Sequence, residues 1–317
     1  MDFELRLDSE CPSDWNNQLL KSPFGNVFNT FEYSQYTKNR LGWNPLFFSM
    51  IDSSGNIRAQ AVIYNINSNK LGKFSKIFPK KFSKFKWIYG PVIFSKDFEV
   101  IIDTFLNYFS NLNKKIDGTL HPLYGVNFNN SHLQLQKWST FLIDLKQSKE
   151  FLLNKMNKKS VIKNIKRSEE RGVKIIKITD SSIGDYHKIL NQYRKENHNS
   201  VYDFEDTKQL WDILKPTGFS GYLAKKDDMV IGGITFSSFN GYLNEWGIAR
   251  SNIDKTEKLY SQDLLKWKII EWGINNNQNF FDLSGFNPNP ENSKEKGILD
   301  YKKKWGGIQK DYVWVRN

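Results

Sequence analysis

Cysteine is nearly absent. Cys11 is the one thiol in 317 residues, so no internal disulfide can form, and a lone thiol in a turn-rich N-terminal segment makes a poor nucleophile. Histidine is scarce too: His121, His132, His187 and His198 are scattered along the chain, which leaves a Cys/His cage without material and predicts no metal. No stretch approaches the ~18 consecutive apolar residues of a membrane helix; runs such as KWIYGPVIF are far shorter. The opening MDFELRLDSECPSDW is acidic and lacks the basic start, apolar run and small-residue cleavage site of a secretory leader. These absences predict a chain of the reducing cytoplasm, placed either in bulk or at the inner membrane face. The GxSxG elbow, HExxH and GxxxxGK[ST] signatures are also missing, which removes the common hydrolase, metalloprotease and P-loop readings.

Positive charge is abundant. Lys and Arg number 46 against 34 Asp and Glu, for a net +12, so the long-range field draws in anionic partners such as phosphate-bearing substrates, RNA or an anionic membrane surface. Hydrophobic residues make up 39% and aromatics 15%, enough for well-filled cores in a chain whose length fits two domains. Between Lys70 and Lys86 lie seven lysines and no acid, interleaved with Phe74, Phe78, Phe82 and Phe85. That segment reads either as a lysine-protected edge or loop or as a phosphate-binding surface.

Periodicity divides the chain near residue 145. In the first half, VFNTFEYSQYTKNRLG has helical spacing stopped by Gly42. Two β-type runs joined by DSSGN form a hairpin signal, KDFEVIIDTFLNYFSNLNKK reads as an amphipathic helix, and GTLHPLYGV and KWSTFLIDL read as strands. The second half opens with SKEFLLNKMNKKSVIKNIKRSEERG, read as one long helix with Ser148 as N-cap, Gly172 as terminator and a stripe of Phe151, Leu152, Met156, Ile162 and Ile165. Its other face carries Lys155, Lys158, Lys159, Lys163, Lys166 and Arg167, like charges that a ligand phosphate would relieve. Then follow the strand GVKIIKI, two helices, the strands FSGYLAK, MVIGGITFSSFN and GYLNEWGIA, a long helix from LYSQDLLKW, the strand FFDLSG, the polar loop FNPNPENSKEKG, and a closing strand IQKDYVWVRN.

Candidate site residues emerge from this order. Asp282 and Ser284 sit at a strand end, where clefts of α/β folds collect polar groups, although Asp282 could equally cap the next turn. Glu245 and Trp246 lie on a central-looking strand, where the carboxylate either faces a cleft or pairs with a neighbouring lysine. Tyr222 and Tyr242 either line the same cavity or pack in the core. In YKKKWGG, three lysines sit between Tyr301 and Trp305.

The second half, with these residues in this order, resembles the FemABX family of aminoacyl-tRNA-dependent peptidyltransferases. KKSVIKNIKRSEERGVKI is similar to that family's basic helix, with Asn164, Ile165, Gly172 and Val173 in register. LLKWKIIEWGINNNQNFFDLSG is similar to its long helix and D-L-x-G strand end, and YKKKWGG to its F-K-x-x-F-G signature. TFEYSQYTK and WIYGPVIF in the first half fit more loosely. The chain departs from the pattern at Ile162, where an arginine is common, and at His121-Pro122, where Asp-Pro is common; it also lacks a coiled-coil insertion.

The resemblance implies an α/β fold of two GNAT-like domains in tandem, residues 1–145 and 146–317, with mixed sheets flanked by helices. It implies transfer of an aminoacyl group from aminoacyl-tRNA to an amine of a cell-wall precursor or related conjugate, with no tightly bound cofactor and an anionic small-molecule or lipid-linked acceptor. Lys302 and Asp282 are then the catalytic candidates. Lys159, Lys163, Lys166, Glu245, Trp246, Ser284, Tyr222, Tyr242, Lys38 and His121 are the substrate-binding ones, and Lys303 and Lys304 are surface or phosphate-facing. Two alternatives stand beside this. An acyl-CoA-dependent N-acyltransferase acting on an amino sugar would need a glycine-rich pyrophosphate loop before the long helix, and IARSNIDKTEKLYSQ has none. A non-catalytic basic module binding RNA or membrane on the same fold would not need Lys302.

Overall fold

The computed structural model describes residues 2–67, 83–112, 114–125, 128 and 133–317. Most of the lysine-rich stretch from Lys70, and His132, lie outside the described residues. Two compact units emerge: 1–140 together with 310–317, and 141–309. The boundary differs from a division at 145/146, and the last eight residues return to the first unit.

The first unit runs β1 (Phe3–Asp8), α1 (Trp15–Leu19), α2 (Phe31–Leu41), β2 (Asn44–Asp52), β3 (Ile57–Asn67), β4 (Ser83–Trp87), β5 (Val92–Ile93), α3 (Phe98–Ser110) and β6 (Lys115–Thr119). The expected turn-rich N-terminus is instead an edge strand, antiparallel to β2 from Phe3↔Asp52 to Asp8↔Phe47. The strand expected to reach Pro122 stops at Thr119. DSSGN makes the predicted hairpin between β2 and β3. Thr30 caps α2 by accepting from the Tyr33 N–H, and Gly42 ends it at φ +64, a conformation that costs glycine no steric clash. The core packs Ile101, Ile102, Phe105 and Phe109 of α3 against Phe48, Ile63 and Trp87 of the sheet. Gly118 is obligatory there, since a Cβ would lie 2.0 Å from the Trp87 ring. The C-terminal strand β13 (Ile308–Arg316) completes the sheet, antiparallel to β6 through Trp314↔Thr119 and Arg316↔Asp117.

From Phe141 the strand β7 (Gln134–Asp144) belongs to the second unit. That unit continues with α4 (Lys149–Lys155), a π-helical turn (Lys158–Ile162), α5 (Lys163–Glu170), β8 (Val173–Lys177), α6 (Ile183–Glu196) and α7 (Phe204–Leu214). It goes on through β9 (Phe219–Lys226), β10 (Met229–Phe239), β11 (Tyr242–Arg250), α8 (Asn252–Thr256), α9 (Ser261–Asn275), β12 (Phe280–Asp282) and α10 (Ser293–Lys303). Its strand order is β8-β9-β10-β11-β12-β7, antiparallel except for the parallel pair β11–β12.

Two expectations fail here. The long basic helix is interrupted: Met156 and Asn157 are extended, and Asn157 restarts the chain by accepting from the Lys159 and Ser160 N–H groups. The Ser148 cap and the Gly172 stop are both present, the latter at φ +75. Phe151 of the supposed apolar stripe is 46% exposed, whereas Val161 is fully buried. The second failure is the polar loop FNPNPENSKEKG, whose latter half is helical. Asn292 caps α10 by accepting from the Glu295 N–H, and its amide donates back to that glutamate, a reciprocal cap.

Candidate functional site

The site forms where two strands part. β12 pairs with β11 only through Tyr242↔Phe280, Leu243↔Phe281 and Asn244↔Asp282, while β11 runs on to Arg250. Past Asp282 the chain turns away through Ser284, held at φ 67. That left-handed turn is fixed from both sides: the Ser284 N–H donates to Asp282 Oδ1 at 2.8 Å and its hydroxyl to the Glu245 carbonyl at 2.9 Å.

Lys302, in the last turn of α10, reaches this turn. Its Nζ donates to the carbonyls of Ser284 at 2.7 Å and Gly285 at 3.0 Å, and the residue is 9% exposed. An ammonium has three N–H groups, so one is left with no protein acceptor among the described residues. Burial lowers the Lys302 pKa to about 8; the Glu245 carboxylate opposes that shift, the Lys266 cation adds to it, and Asp282 opposes it more weakly.

Both flanking carboxylates are engaged. Asp282 is fully buried and accepts from the Tyr242 hydroxyl at 2.9 Å and from Asn244 Nδ2 at 3.4 Å; with Ser284 it has the turn-capping role. Glu245 pairs with Lys266 at 2.5 Å, the two side chains 6% and 0% exposed. The Lys266 ammonium also lies 4.7 Å from the Tyr301 ring and 5.4 Å from that of Trp305, so the two aromatics of YKKKW form the roof over a buried cation. Sequence reasoning overlooked Lys266. The available signal was a lysine set among Leu264, Leu265, Trp267 and Ile269 on a helix buried on nearly all sides.

The lysine triplet splits three ways. Lys302 enters the cluster, Lys303 is exposed, and Lys304 turns inward to Asp263 at 2.6 Å, a carboxylate that Asn164 also holds at 2.8 Å.

Other candidates stand apart. Lys159, Lys163 and Lys166 are exposed on the π turn and α5; Lys166 faces Glu170 at 3.8 Å, and none of the three bonds to the Lys302 cluster among the described residues. Tyr222 is half-buried and stacks on Phe236 at 6.1 Å, and Trp246 meets Phe219 edge-on at 5.6 Å, both packing roles. Lys38 and His121 belong to the first unit. Lys38 is exposed in the last turn of α2. His121 is wholly buried, ringed by Phe24, Tyr89 and Tyr124 at 5.7 Å each. Burial pushes its pKa down to about 3, so the substrate-binding candidate that the resemblance implied is a neutral ring in a core. Burial, helped by Glu32, likewise raises the Cys11 thiol to about 11, which removes it as a nucleophile. Among the described residues no cluster of three His, Cys, Asp or Glu could hold a metal, and no helix is long and apolar enough to cross a membrane.

The start of α9 bears on the donor. Its N-terminal Ser261 N–H donates at 2.8 Å to Asp254, which is fully buried and paired with Arg250; Asp263 adds a second acid in the first turn. A helix N-terminus attracts anions through its free N–H groups and dipole. Here one of those N–H groups, that of Ser261, already has a carboxylate of the chain as its acceptor.

No family model matches the sequence, and no curated protein matches it. Solved structures do. FemX aligns at 11% identity over 99% of this chain and 97% of its own, with a TM-score of 0.72. L-PGS from Bacillus licheniformis aligns at 10% identity over 98% and 93%, with a TM-score of 0.58. A tandem GNAT protein of the clavulanic acid biosynthesis pathway aligns at 9% identity over 99% and 98%, with a TM-score of 0.54. Likeness at such identities speaks to backbone architecture, and the chain accordingly has a FemAB-like, tandem GNAT-type fold.

Proposed function

We propose that this chain is an acyltransferase that moves an aminoacyl group from aminoacyl-tRNA to an amine of a cell-wall precursor or related conjugate. The observation that carries the reading is Lys302: a buried ammonium, aimed by two carbonyls at the parting of β11 and β12, with one N–H left over. A neutral amine attacks the ester carbonyl carbon, and the carbonyl oxygen becomes an oxyanion. The carbon–oxygen bond to the ribose then breaks, the amide forms, and the proton lost by the amine ends on the released ribose hydroxyl. Lys302 supplies the cation and hydrogen bond that the oxyanion needs, and its burial weakens the screening of that charge by water. Because the ester is activated and the amine held close, no strong general base is required. The resemblance of Tyr301–Gly306 to the family signature supports this role for Lys302, and the FemX-like fold is consistent with it.

Acyl-CoA as donor is disfavoured by the start of α9, where the Ser261 N–H is already taken by Asp254 and the preceding stretch IARSNIDKTEKLYSQ has no glycine-rich loop to cradle a pyrophosphate. The C-terminal domain of a putative lysylphosphatidylglycerol synthetase from Agrobacterium fabrum, a structural relative, keeps lipid-linked acceptors in the panel. The test is to incubate the protein with charged tRNA and with acyl-CoA separately, each with a panel of amine acceptors, and measure donor consumed and amide formed. The reading expects consumption of charged tRNA that depends on an amine; consumption of acyl-CoA alone would overturn it.

A further inference from the structure

A cavity of about 330 Å³, lined by Lys155, Asn157, Asp300, Lys303 and Lys304, has room for roughly ten waters. At 3.6 residues per turn, positions 300, 303 and 304 fall within about 100° of one another around α10, and 302 lies about 160° from 304. The cavity and the Lys302 contacts therefore occupy opposite faces of one helix.

Its walls are tied together. The Asn157 N–H donates to the Lys304 carbonyl at 2.9 Å, and Gly306 comes so close to Lys155 that a Cβ would sit 2.5 Å from that carbonyl oxygen. The break in the basic helix at Met156–Asn157 thus coincides with the cavity, and the π-helical turn that follows is a distortion often found at functional sites.

The charges in the cavity are unevenly satisfied. Lys304 is bound to Asp263, but Lys303 has no carboxylate in ion-pair reach among the described residues, and Lys155 has only the Phe151 ring at 5.5 Å. Asp300, the one acid on the wall, pairs with neither. Two unneutralised ammonium groups on a built wall gain energy when an anion arrives. The lining has no apolar side chain for an acyl chain to cover, and exposed Lys158, Lys159, Lys163 and Lys166 extend the positive face along the chain, as a groove tracking a polynucleotide backbone does.

We infer that this cavity seats one backbone phosphate of a polynucleotide, with Lys155 and Lys303 as its ammonium contacts. The inference rests on the donor reading above, under which the polynucleotide is the acceptor end of the tRNA.

The test measures binding of uncharged tRNA by fluorescence anisotropy across about 50 to 200 mM KCl, for the wild type, the Lys155→Ala/Lys303→Ala pair and a Lys294→Ala/Lys296→Ala control from the exposed first turns of α10. Losing one phosphate contact lowers the slope of log K against log salt by about 0.7 to 0.9. That change is expected in the first pair and not in the control, with far-UV dichroism confirming that both fold. An unchanged slope in the folded Lys155/Lys303 variant, or an equal drop in the control, overturns the inference. Binding of phosphatidylglycerol vesicles but not tRNA overturns it as well. Wild-type consumption of charged tRNA, measured in parallel, separates the outcomes: if it persists while the slope does not move, the subsite falls and the donor reading stands.

Discussion

Lys302 is costly to keep. Its pKa of about 8 in the folded protein, against 10.5 for a free lysine, means that the unfolded chain binds the proton more tightly. Below about pH 8 the native state carries the full penalty, about 3 kcal/mol at 1.36 kcal/mol per tenfold change, and the penalty fades as pH rises toward 10.5. Denaturant unfolding of the wild type and of Lys302→Met at pH 7 and at pH 10 is therefore expected to show the wild type gaining about 2.5 kcal/mol on the variant as pH rises; a constant difference would mean that Lys302 is not buried as a cation. Its neighbours Lys266 and Glu245 form a tight unit whose halves depend on each other. Lys266→Met alone is expected to cost about 3–5 kcal/mol by stranding a buried carboxylate, and adding Glu245→Gln to recover most of it, as a urea-unfolding double-mutant cycle would read. Sequence pattern alone left Lys302 one of three equivalent lysines, and only the family-like frame of Tyr301 and Trp305 singled it out. Its acceptors are backbone carbonyls of a turn, and these have no side-chain signature.

At the scale of elements, what the sequence revealed was whatever is encoded locally. The Ser148 cap, the Gly42 and Gly172 stops and the DSSGN hairpin are each set by a residue and its immediate neighbours. The break at Asn157 is only partly so: the Asn157 side chain caps the next turn locally, accepting from the Lys159 and Ser160 N–H groups, but its own N–H donates to the Lys304 carbonyl, far along the chain; periodicity alone continues the helix through it. Helix α10 was legible in principle from the Asn292…Glu295 pairing, which the polar composition of FNPNPENSKEKG masked. The two glycines around this helix predict opposite outcomes. Gly297→Ala meets nothing within 4 Å and is expected to stabilise the protein by about 0.5–1 kcal/mol. Gly306→Ala places its Cβ 2.5 Å from the Lys155 oxygen at φ +71 and is expected to cost about 1–3 kcal/mol or more. Thermal unfolding of the two variants checks the sign of each.

For the whole molecule, the return of the chain end matters most. Residues 310–317 belong to the first unit, pairing with β6 and burying Val313 and Val315 in its core, a closure that periodicity of a terminal strand cannot reveal. Truncation after Gln309 is expected to expose the first unit's amides to rapid hydrogen exchange; full protection in the truncated protein would contradict the assignment of this strand. The account's central claim concerns chemistry and is tested most directly by single-turnover transfer from charged tRNA to an amine acceptor, comparing wild type with a Lys302→Met variant shown to be folded. The account predicts a loss of about 10²–10³-fold in the variant and, in the wild type, a rate whose rise with pH, as the acceptor amine loses its proton, is checked above about 8 where the Lys302 cation is lost, while the residual rate of the variant keeps rising. Wild-type rates in the folded variant would contradict it.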